Sequence, residues 1–246
     1  MQADLLDAQA SVNWAVTQTE TFDQRIKAWT RVYFEVRIEE TPAPAAQNRV
    51  IALLKEPLPR AFNVEFGVCI NAIRTSLDIL ATALAERHHI KGESKIYFPV
   101  VRSAHEWTAG KFKGHHLVNG LPDVERRKIE AFQPYNGVNN KSLWELHELD
   151  IKRKHRRLIG LTNRPVGFAM QGVQTGFTAN PALTDWTLSP NQETVIGFID
   201  KGRQNEEIKF FPAVACAEPG ITFRNPVQGT ILYFAEVANK IIAAFS

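Results

Sequence analysis

The sequence predicts an α+β fold, in which a core of long amphipathic helices packs on one face of a mainly antiparallel sheet. Two observations indicate the helices. Apolar residues recur every three or four positions from Phe62 to Leu84, and they do so again from Val227 to Phe245. A third indicates the sheet. Between Arg31 and Glu39 apolar and polar residues alternate, as they do on a strand with one buried face.

The elements of the first third of the chain follow in a simple order. Residues 11–30 have the spacing of a moderately amphipathic helix, which leads directly into the alternating strand at residues 31–39. A proline-rich turn ends that strand, and residues 49–54 can return beside it as the second strand of a hairpin. The helix from Phe62 to Leu84 has the strongest helical pattern and is expected to cross the core.

The second half is less regular. Residues 91–140 are predicted to form a long, irregular, lid-like connection with one short helix that begins near Pro122. The segment Ser142–Glu145 has a capping-box pattern, with serine at the cap and glutamate three residues later, which predicts a helix from there to about Ile159. Strand-like segments follow at residues 167–177, 194–200 and 207–214.

The composition is typical of an ordinary globular protein. With 246 residues, of which 44% are hydrophobic and 22% charged, we interpret residues 1–246 as a single α+β domain. A net charge of +3 permits an anionic partner but is less basic than many nucleic-acid binders. The only two cysteines, Cys69 and Cys216, have no metal-binding spacing, so we expect a cytoplasmic protein. We expect no membrane span, because no run of 18 apolar residues occurs.

Several familiar catalytic motifs are incomplete. The segment His147–Ile151 begins like the HExxH zinc motif, but Ile151 stands where the second histidine should be. The glycine- and cation-rich segment Gly110–His116 lacks the spacing of a phosphate-binding P-loop. The doublets His88-His89 and His115-His116 are more typical of exposed surface than of a metal site. Neither GxSxG nor GxGxxG occurs, and we expect no cofactor and no metal.

A polar stripe interrupts the apolar pattern of the long helix. Asn71, Arg74 and Asp78 fall at positions i, i+3 and i+7, and Arg74 can pair with Asp78 one turn later. Small or apolar residues flank this pair, so we expect it to be partly buried, where an unpaired charge is costly. The pair either braces the helix packing or lines a pocket.

The segment Leu146–Arg157 places two histidines, two carboxylates and five cations on one predicted helix. On that helix, His147, Asp150 and Lys154 form one stripe. His155 falls on the next stripe, together with apolar residues, and is expected to face inward.

An inward-facing His155 has two interpretations. It is either a neutral core histidine or an acid–base group beside an anion that Lys154, Arg156 and Arg157 would hold. The cations from Lys152 to Arg157 would attract phosphate if exposed, but cations are also common at a helix C-terminus because of the backbone dipole.

Four segments, taken in order, resemble a family of uncharacterised bacterial proteins over about residues 31–245. They are Asn71–Ala81, Phe98–Val100, Ile129–Tyr135 and Leu146–Arg156. The corresponding family motifs are N-L-R-S-x-L-D-x-L-A, F-P-I, I-E-x-L-Q-P-Y and L-x-x-L-x-x-x-D-K-H-R. Where the last motif has aspartate before Lys-His-Arg, this chain has Arg153, so any role of that acid is lost or passes to Asp150. The resemblance implies no particular reaction, because the family has no established activity.

A weaker resemblance is to the HEPN superfamily of helical ribonucleases and nucleotide-binding proteins. Its signature is an arginine followed, after four to six residues, by a histidine, and no arginine of this chain precedes a histidine at that spacing. A spatial equivalent would need Arg74 to meet His155 across two helices. The predicted strands also depart from an all-helical fold.

The leading functional hypothesis is a polar site for an anionic ligand, such as RNA or a nucleotide, between the helix with the polar stripe and the charged helix. Arg74 and Lys154 would neutralise a phosphate, Asp78 would orient His155 or Arg74, and His155 would transfer a proton in metal-independent phosphodiester cleavage. The other candidate ligand-binding residues are Asn71, Asp150, Arg156 and Tyr135.

Two alternatives remain open at this level. One is a small-molecule hydrolase or lyase with an apolar pocket under residues 91–140, in which Tyr135 and Trp107 would be walls. The other is a non-catalytic binding or assembly module, whose buried polar residues specify the helix packing.

Overall fold

The structure, a computed structural model, describes residues 3–170, 176–182, 188–201, 208–220 and 226–246. Seven α-helices and six β-strands lie in these ranges. The helices are α1 (Leu6–Tyr33), α2 (Arg60–Arg87), α3 (Ala104–Ala109), α4 (His115–Gly120), α5 (Asp123–Ala131), α6 (Lys141–His155) and α7 (Val227–Ala243). The strands are β1 (Phe34–Glu39), β2 (Gln47–Leu54), β3 (Leu161–Met170), β4 (Phe177–Ala179), β5 (Glu193–Asp200) and β6 (Ile208–Cys216).

Four strands form an antiparallel sheet in the order β1-β2-β5-β4. The predicted hairpin is confirmed, since β1 pairs with β2 and Phe34 lies opposite Leu54. Strands β3 and β6 pair separately as a two-stranded antiparallel sheet. The strand predicted at residues 167–177 is therefore divided. Its first part belongs to β3, residues 171–175 lie outside the described residues, and Phe177 begins β4.

The long helices α1, α2 and α7 pack against one another, and α2 carries the most extensive buried stripe. Fully buried members of that stripe are Phe66, Ile70, Ile73, Leu77, Leu80 and Leu84. A smaller apolar cluster lines the four-stranded sheet, with Val50 and Ile196 at its centre. Trp29 of α1 packs against both clusters and so joins the helical layer to the sheet. The predicted α+β class is confirmed.

Helix α2 also has the length and apolar character of a membrane span, by composition alone. Of the apolar stretch that meets this criterion, 61% is buried inside the protein. The same stripe that makes α2 apolar contacts α1, α6 and α7, as in the central helix of a folded core.

Residues 91–140 are more regular than predicted. They include α3, α4 and α5, and α5 begins at Asp123 directly after Pro122, as the position of that proline predicts. Phe98, Leu117 and Ile129 from this segment are buried in the main core. The segment therefore contributes to the core, and its role as a lid stays a prediction.

Both ends of α6 differ from their predicted positions. The helix begins at Lys141, so Ser142 lies inside its first turn and Asn140 occupies the cap position. The Asn140 amide donates instead to the carbonyl oxygens of Ala131 and Gln133, and thereby ties α6 to the end of α5. The helix ends at His155, four residues before the predicted end.

Candidate functional site

Arg74 is buried in the middle of α2, with 4% of its surface exposed, and three of its nitrogens donate hydrogen bonds. Nη1 donates to Asp78 Oδ1 at 2.9 Å, and Nη2 donates to the carbonyl oxygen of Phe98 at 3.0 Å. Nε donates to Nδ1 of His147 on α6 at 3.3 Å. A buried guanidinium is costly unless it is paired and hydrogen-bonded, and these contacts meet both conditions.

The Arg74–Asp78 pair holds a stretch of chain that has no regular secondary structure. The N–H of Phe98 donates to Asp78 Oδ1 at 3.0 Å, so both backbone polar groups of Phe98 are bound by the pair. Val101 lies three residues after Phe98, and its N–H donates to the side chain of the fully buried Gln133 at 2.8 Å. The brace interpretation of the pair is therefore supported directly, because buried backbone groups outside helices and sheets need such partners.

His147 receives the third hydrogen bond of Arg74, and this contact determines where its ring proton lies. The guanidinium is always protonated, so Nδ1 of His147 must accept and cannot carry a hydrogen. A neutral His147 therefore carries its hydrogen on Nε2. That atom has no hydrogen-bond partner among the described residues, and it is not completely buried.

Burial, followed by the positive charge of Arg74, lowers the pKa of His147 to about 4. Asp150 and Asp78 oppose this shift and Lys113 adds to it. At neutral pH the side chain is accordingly an uncharged imidazole whose one N–H points away from Arg74.

A second polar contact joins α2 to α6 one turn away. Asn71 Nδ2 donates to Asp150 Oδ1 at 2.8 Å, and Asp150 Oδ2 pairs with Lys154 at 2.7 Å. Asp150 is 4% exposed, so its carboxylate is buried and satisfied from two sides. These contacts support the predicted packing of the polar stripe against the charged helix, with Arg74–His147 and Asn71–Asp150 as its two bridges.

The Trp144 ring lies beside His147, the charge of Lys113 acts on it, and each of these two side chains belongs to an aromatic–cation pair. The Trp144 ring lies one helical turn before it, with the two ring centroids 5.9 Å apart. The Arg102 guanidinium lies 4.6 Å from the centre of the Trp144 ring, and the Lys113 ammonium lies 3.6 Å from the centre of the Tyr97 ring. We call His147 and these four residues the His147 site.

The prediction that His155 faces inward is wrong, because its side chain is exposed. The buried face of α6 includes Leu143, Leu146 and Leu149, whereas the stripe that contains His155 ends in Leu158, which is 40% exposed. The helix stops at His155, so no further turn covers that side chain. Arg74 donates its hydrogen bond to His147 and not to His155.

The structure also places the other residues that were predicted to bind a ligand or to line a pocket. Lys154 is exposed apart from its ion pair with Asp150, and Arg156 is exposed beyond the end of α6. The Tyr135 hydroxyl donates to Glu130 at 3.1 Å, and burial, with that neighbouring carboxylate, raises the pKa of the phenol. Trp107, the other predicted pocket wall, stacks on Phe112 with ring centroids 5.2 Å apart.

Two of the five cations at the end of α6, Lys152 and Arg157, pair with Glu218, which sequence reasoning missed. This carboxylate is 1% exposed and accepts from Lys152 at 2.6 Å, from both terminal nitrogens of Arg157 at 3.0 Å, and from the N–H of Gly160 at 2.6 Å. Burial alone would raise the pKa of Glu218, but the hydrogen bonds from Lys152 and Gly160 and both positive charges lower it. We call these four residues the Glu218 cluster.

Within the described ranges, no group of three or more histidine, cysteine, aspartate or glutamate side chains could hold a metal ion. Comparisons of this chain with protein families, with curated proteins and with solved structures found no match. The resemblance to the bacterial family with four ordered motifs, and the weaker one to the HEPN superfamily, therefore stay predictions.

Proposed function

We propose that the protein binds an anionic ligand at the His147 site, through a phosphate group such as that of a nucleotide or RNA. The observation that carries the proposal is the hydrogen bond from Arg74 Nε to His147 Nδ1, which leaves the Nε2–H of an uncharged imidazole without a partner among the described residues. A donor fixed in this way suits a phosphate oxygen, because its orientation costs nothing at the moment of binding.

The charges around His147 support an anion rather than a cation. Arg102 and Lys113 are both exposed and neither has an ion-pair partner among the described residues. The nearby carboxylates of Asp78 and Asp150 are already paired with Arg74 and Lys154. Glu106, which accepts a hydrogen bond from the N–H of Arg102, offsets part of the positive charge of this region. The exposed side chains of Arg102 and Lys113 would attract a phosphate, and salt would screen that attraction.

The geometry supports binding better than phosphodiester cleavage by this histidine. A general base must accept a proton, but Nδ1 of His147 is occupied by Arg74 and Nε2 already carries a hydrogen. In a cleavage reaction His147 would stabilise a phosphate oxygen, and another group would have to take the proton. His155 lies exposed at the end of α6 and is no longer favoured for that role.

Isothermal titration calorimetry with inorganic phosphate and with AMP tests the proposal, using His147→Ala, His147→Gln and His155→Ala. A hydrogen bond to a charged group contributes about 1.5–3 kcal/mol, so His147→Ala should weaken binding by about 10- to 100-fold. In His147→Gln, the amide can accept from Arg74 and still donate outward, and affinity should be largely retained. His155→Ala is the matched control and should bind like the wild type. Equal affinity in His147→Ala and wild type would refute the proposal.

The same variants test cleavage. When they are incubated with mixed RNA, products that disappear with His147→Ala and persist with His155→Ala would support a catalytic role at this site. Identical products from both would exclude it.

We also propose a cytoplasmic location. Cys69 and Cys216 are free and buried, and burial raises the pKa of each thiol to about 11. Unpaired buried thiols are typical of a reducing compartment.

A further inference from the structure

The His147 site belongs to a wider surface in which aromatic and cationic side chains are paired. Lys113 covers the face of Tyr97, and Arg102 covers the face of Trp144. These four residues come from separate parts of the chain: the stretch before α3, the loop before α4, and α6. The fold, rather than a local sequence motif, forms both pairs, with Trp144 beside His147 and Lys113 close enough to affect its pKa.

The loop that carries Lys113 also carries Phe112, which pairs with an aromatic ring of α3. Phe112 stacks on Trp107 with an angle of 8° between the ring planes. Gly114 fixes this loop against the chain around Tyr97, because a Cβ at that position would lie 2.5 Å from the Tyr97 carbonyl oxygen. Its φ of +93° also favours glycine.

This combination of side chains is the chemistry that single-stranded nucleic acids require. Bases stack on aromatic faces whatever their identity, and cations beside those faces neutralise the connecting phosphates. In the free protein Lys113 and Arg102 lie on the ring faces. Both cationic side chains are exposed and flexible enough to turn to a phosphate, which would leave the ring face to a base.

We propose that this surface binds single-stranded nucleic acid, with one phosphate on the Nε2–H of His147 and bases on Tyr97 and Trp144. The proposal rests on the proposed function of His147 and specifies its ligand. Two separate ring–cation pairs offer more stacking positions than one mononucleotide can fill. A duplex would not fit this chemistry, since its bases are already stacked on one another.

Fluorescence anisotropy with labelled ten-nucleotide oligo(U) and oligo(dT) tests the inference. Competitors are unlabelled UMP and a duplex of the same length. Both single strands should bind at least ten times more tightly than UMP and than the duplex. Tyr97→Leu and Trp144→Leu should each weaken binding by about 5- to 100-fold, because each removes one stacking platform.

Two controls separate stacking from charge and from loss of fold. Trp14→Leu removes a tryptophan of α1 that is 44% exposed and should leave affinity unchanged. Lys113→Gln should reduce the slope of log affinity against log salt by about one, as the loss of one phosphate contact does. Circular dichroism melting of every variant verifies that it is folded under the binding conditions.

The outcomes distinguish this inference from the proposed function. If AMP and phosphate bind through His147 but the oligonucleotides bind no more tightly than UMP, the inference is wrong and the proposed function stands. If folded Tyr97→Leu and Trp144→Leu bind oligo(U) like the wild type, or the duplex binds equally well, stacking is excluded. If neither phosphate, AMP nor oligonucleotide binds, both fail.

Discussion

The Glu218 cluster and the His147 site both include residues of α6, but they differ in whether the central polar group already has hydrogen-bond partners for all its atoms. In the Glu218 cluster one carboxylate, 1% exposed, accepts from two cations and from a backbone N–H. Next to the His147 site, each nitrogen of the Arg74 guanidinium donates a hydrogen bond, whereas the imidazole that Arg74 orients keeps its one donor without a partner among the described residues.

The difference separates a structural cluster from a candidate binding site. A network in which every polar atom is hydrogen-bonded stabilises the fold but does not favour ligand binding. A ligand could bind there only if an existing hydrogen bond were broken first. An open donor next to a closed network is already oriented, and a ligand need not displace a protein contact to reach it. Charge by itself therefore does not identify the site on α6, since the five cations of the run lie mainly outside it.

The largest predicted effect is the loss of the Glu218 cluster. Glu218→Gln removes the buried charge that accepts from Lys152, Arg157 and Gly160, and the loss of several hydrogen bonds to one charged acceptor costs about 3 kcal/mol. For a chain of this size that corresponds to a fall in Tm of roughly 6–12 °C, measured by calorimetry. Affinity for AMP should not change.

Glu193→Gln is the matched control, because Glu193 pairs with Arg37 on the surface and its side chain is 51% exposed. This substitution should change the free energy of unfolding by less than about 1 kcal/mol. A Glu218→Gln protein that melts with the wild type, or that loses AMP binding while folded, would break the distinction between the two regions.

A smaller loss of stability is predicted for the framework of the His147 site. Asp78→Ala removes the carboxylate partner of Arg74 and the acceptor of the Phe98 N–H, which should cost about 2 kcal/mol in a denaturant titration. Asp78 is 30% exposed on its side chain, so water can replace part of the lost contact. Here, unlike at Glu218, affinity for AMP should fall as well, because Arg74 would no longer be held against His147.

Glu236→Ala provides the comparison for that variant. Glu236 forms an exposed i,i+4 pair with Lys240 on α7, and its loss should cost about 0.3–0.5 kcal/mol without changing affinity. If Asp78→Ala were no more damaging than Glu236→Ala, the Arg74–Asp78 pair would not be a brace.

Much of this arrangement was predictable from the sequence, because periodicity reports which face of an element is buried. The stripe of Asn71, Arg74 and Asp78 and its partial burial follow from spacing. Its packing against the charged helix is a hypothesis that the hydrogen bonds to His147 and Asp150 support. Residue spacing did not show which histidine, His147 or His155, contacts Arg74. That contact depends on which of two neighbouring stripes of α6 faces α2 and on where α6 ends, and both are decided by tertiary packing.

Glu218 and the aromatic–cation pairs were beyond sequence reasoning for another reason. Glu218 follows β6, about sixty residues after the cations that it binds, and no local pattern relates the two. Tyr97 and Lys113, like Arg102 and Trp144, are paired by the way residues 91–140 fold back on α2 and α6. Contacts of this kind are set by the topology of the fold, and they produce no regular spacing of residues in the sequence.

A further prediction concerns pH. The folded pKa of His147 is about 4, below the 6.5 of an unperturbed histidine, so the unfolded chain binds more protons between these values. The stability contributed by neutral His147 is complete above pH 6.5 and declines as the pH falls towards 4. From pH 7.5 to 5.5 the wild type should lose about 1 kcal/mol more than His147→Gln, measured by urea titration at each pH. Parallel pH profiles of the two proteins would mean that the imidazole is not held in its neutral form.

The smallest effects are predicted at the exposed end of the charged helix, and they test whether the cationic run itself is the site. His155→Ala and Arg156→Ala remove exposed side chains that form no ion pair with described residues, so each should change stability by less than about 0.5 kcal/mol. Both variants should also bind AMP like the wild type, since His147 keeps its contact with Arg74. A tenfold loss of affinity with Arg156→Ala would place the binding site at the end of α6 and not at its middle. The Nε2–H of His147 would then have no role in binding AMP.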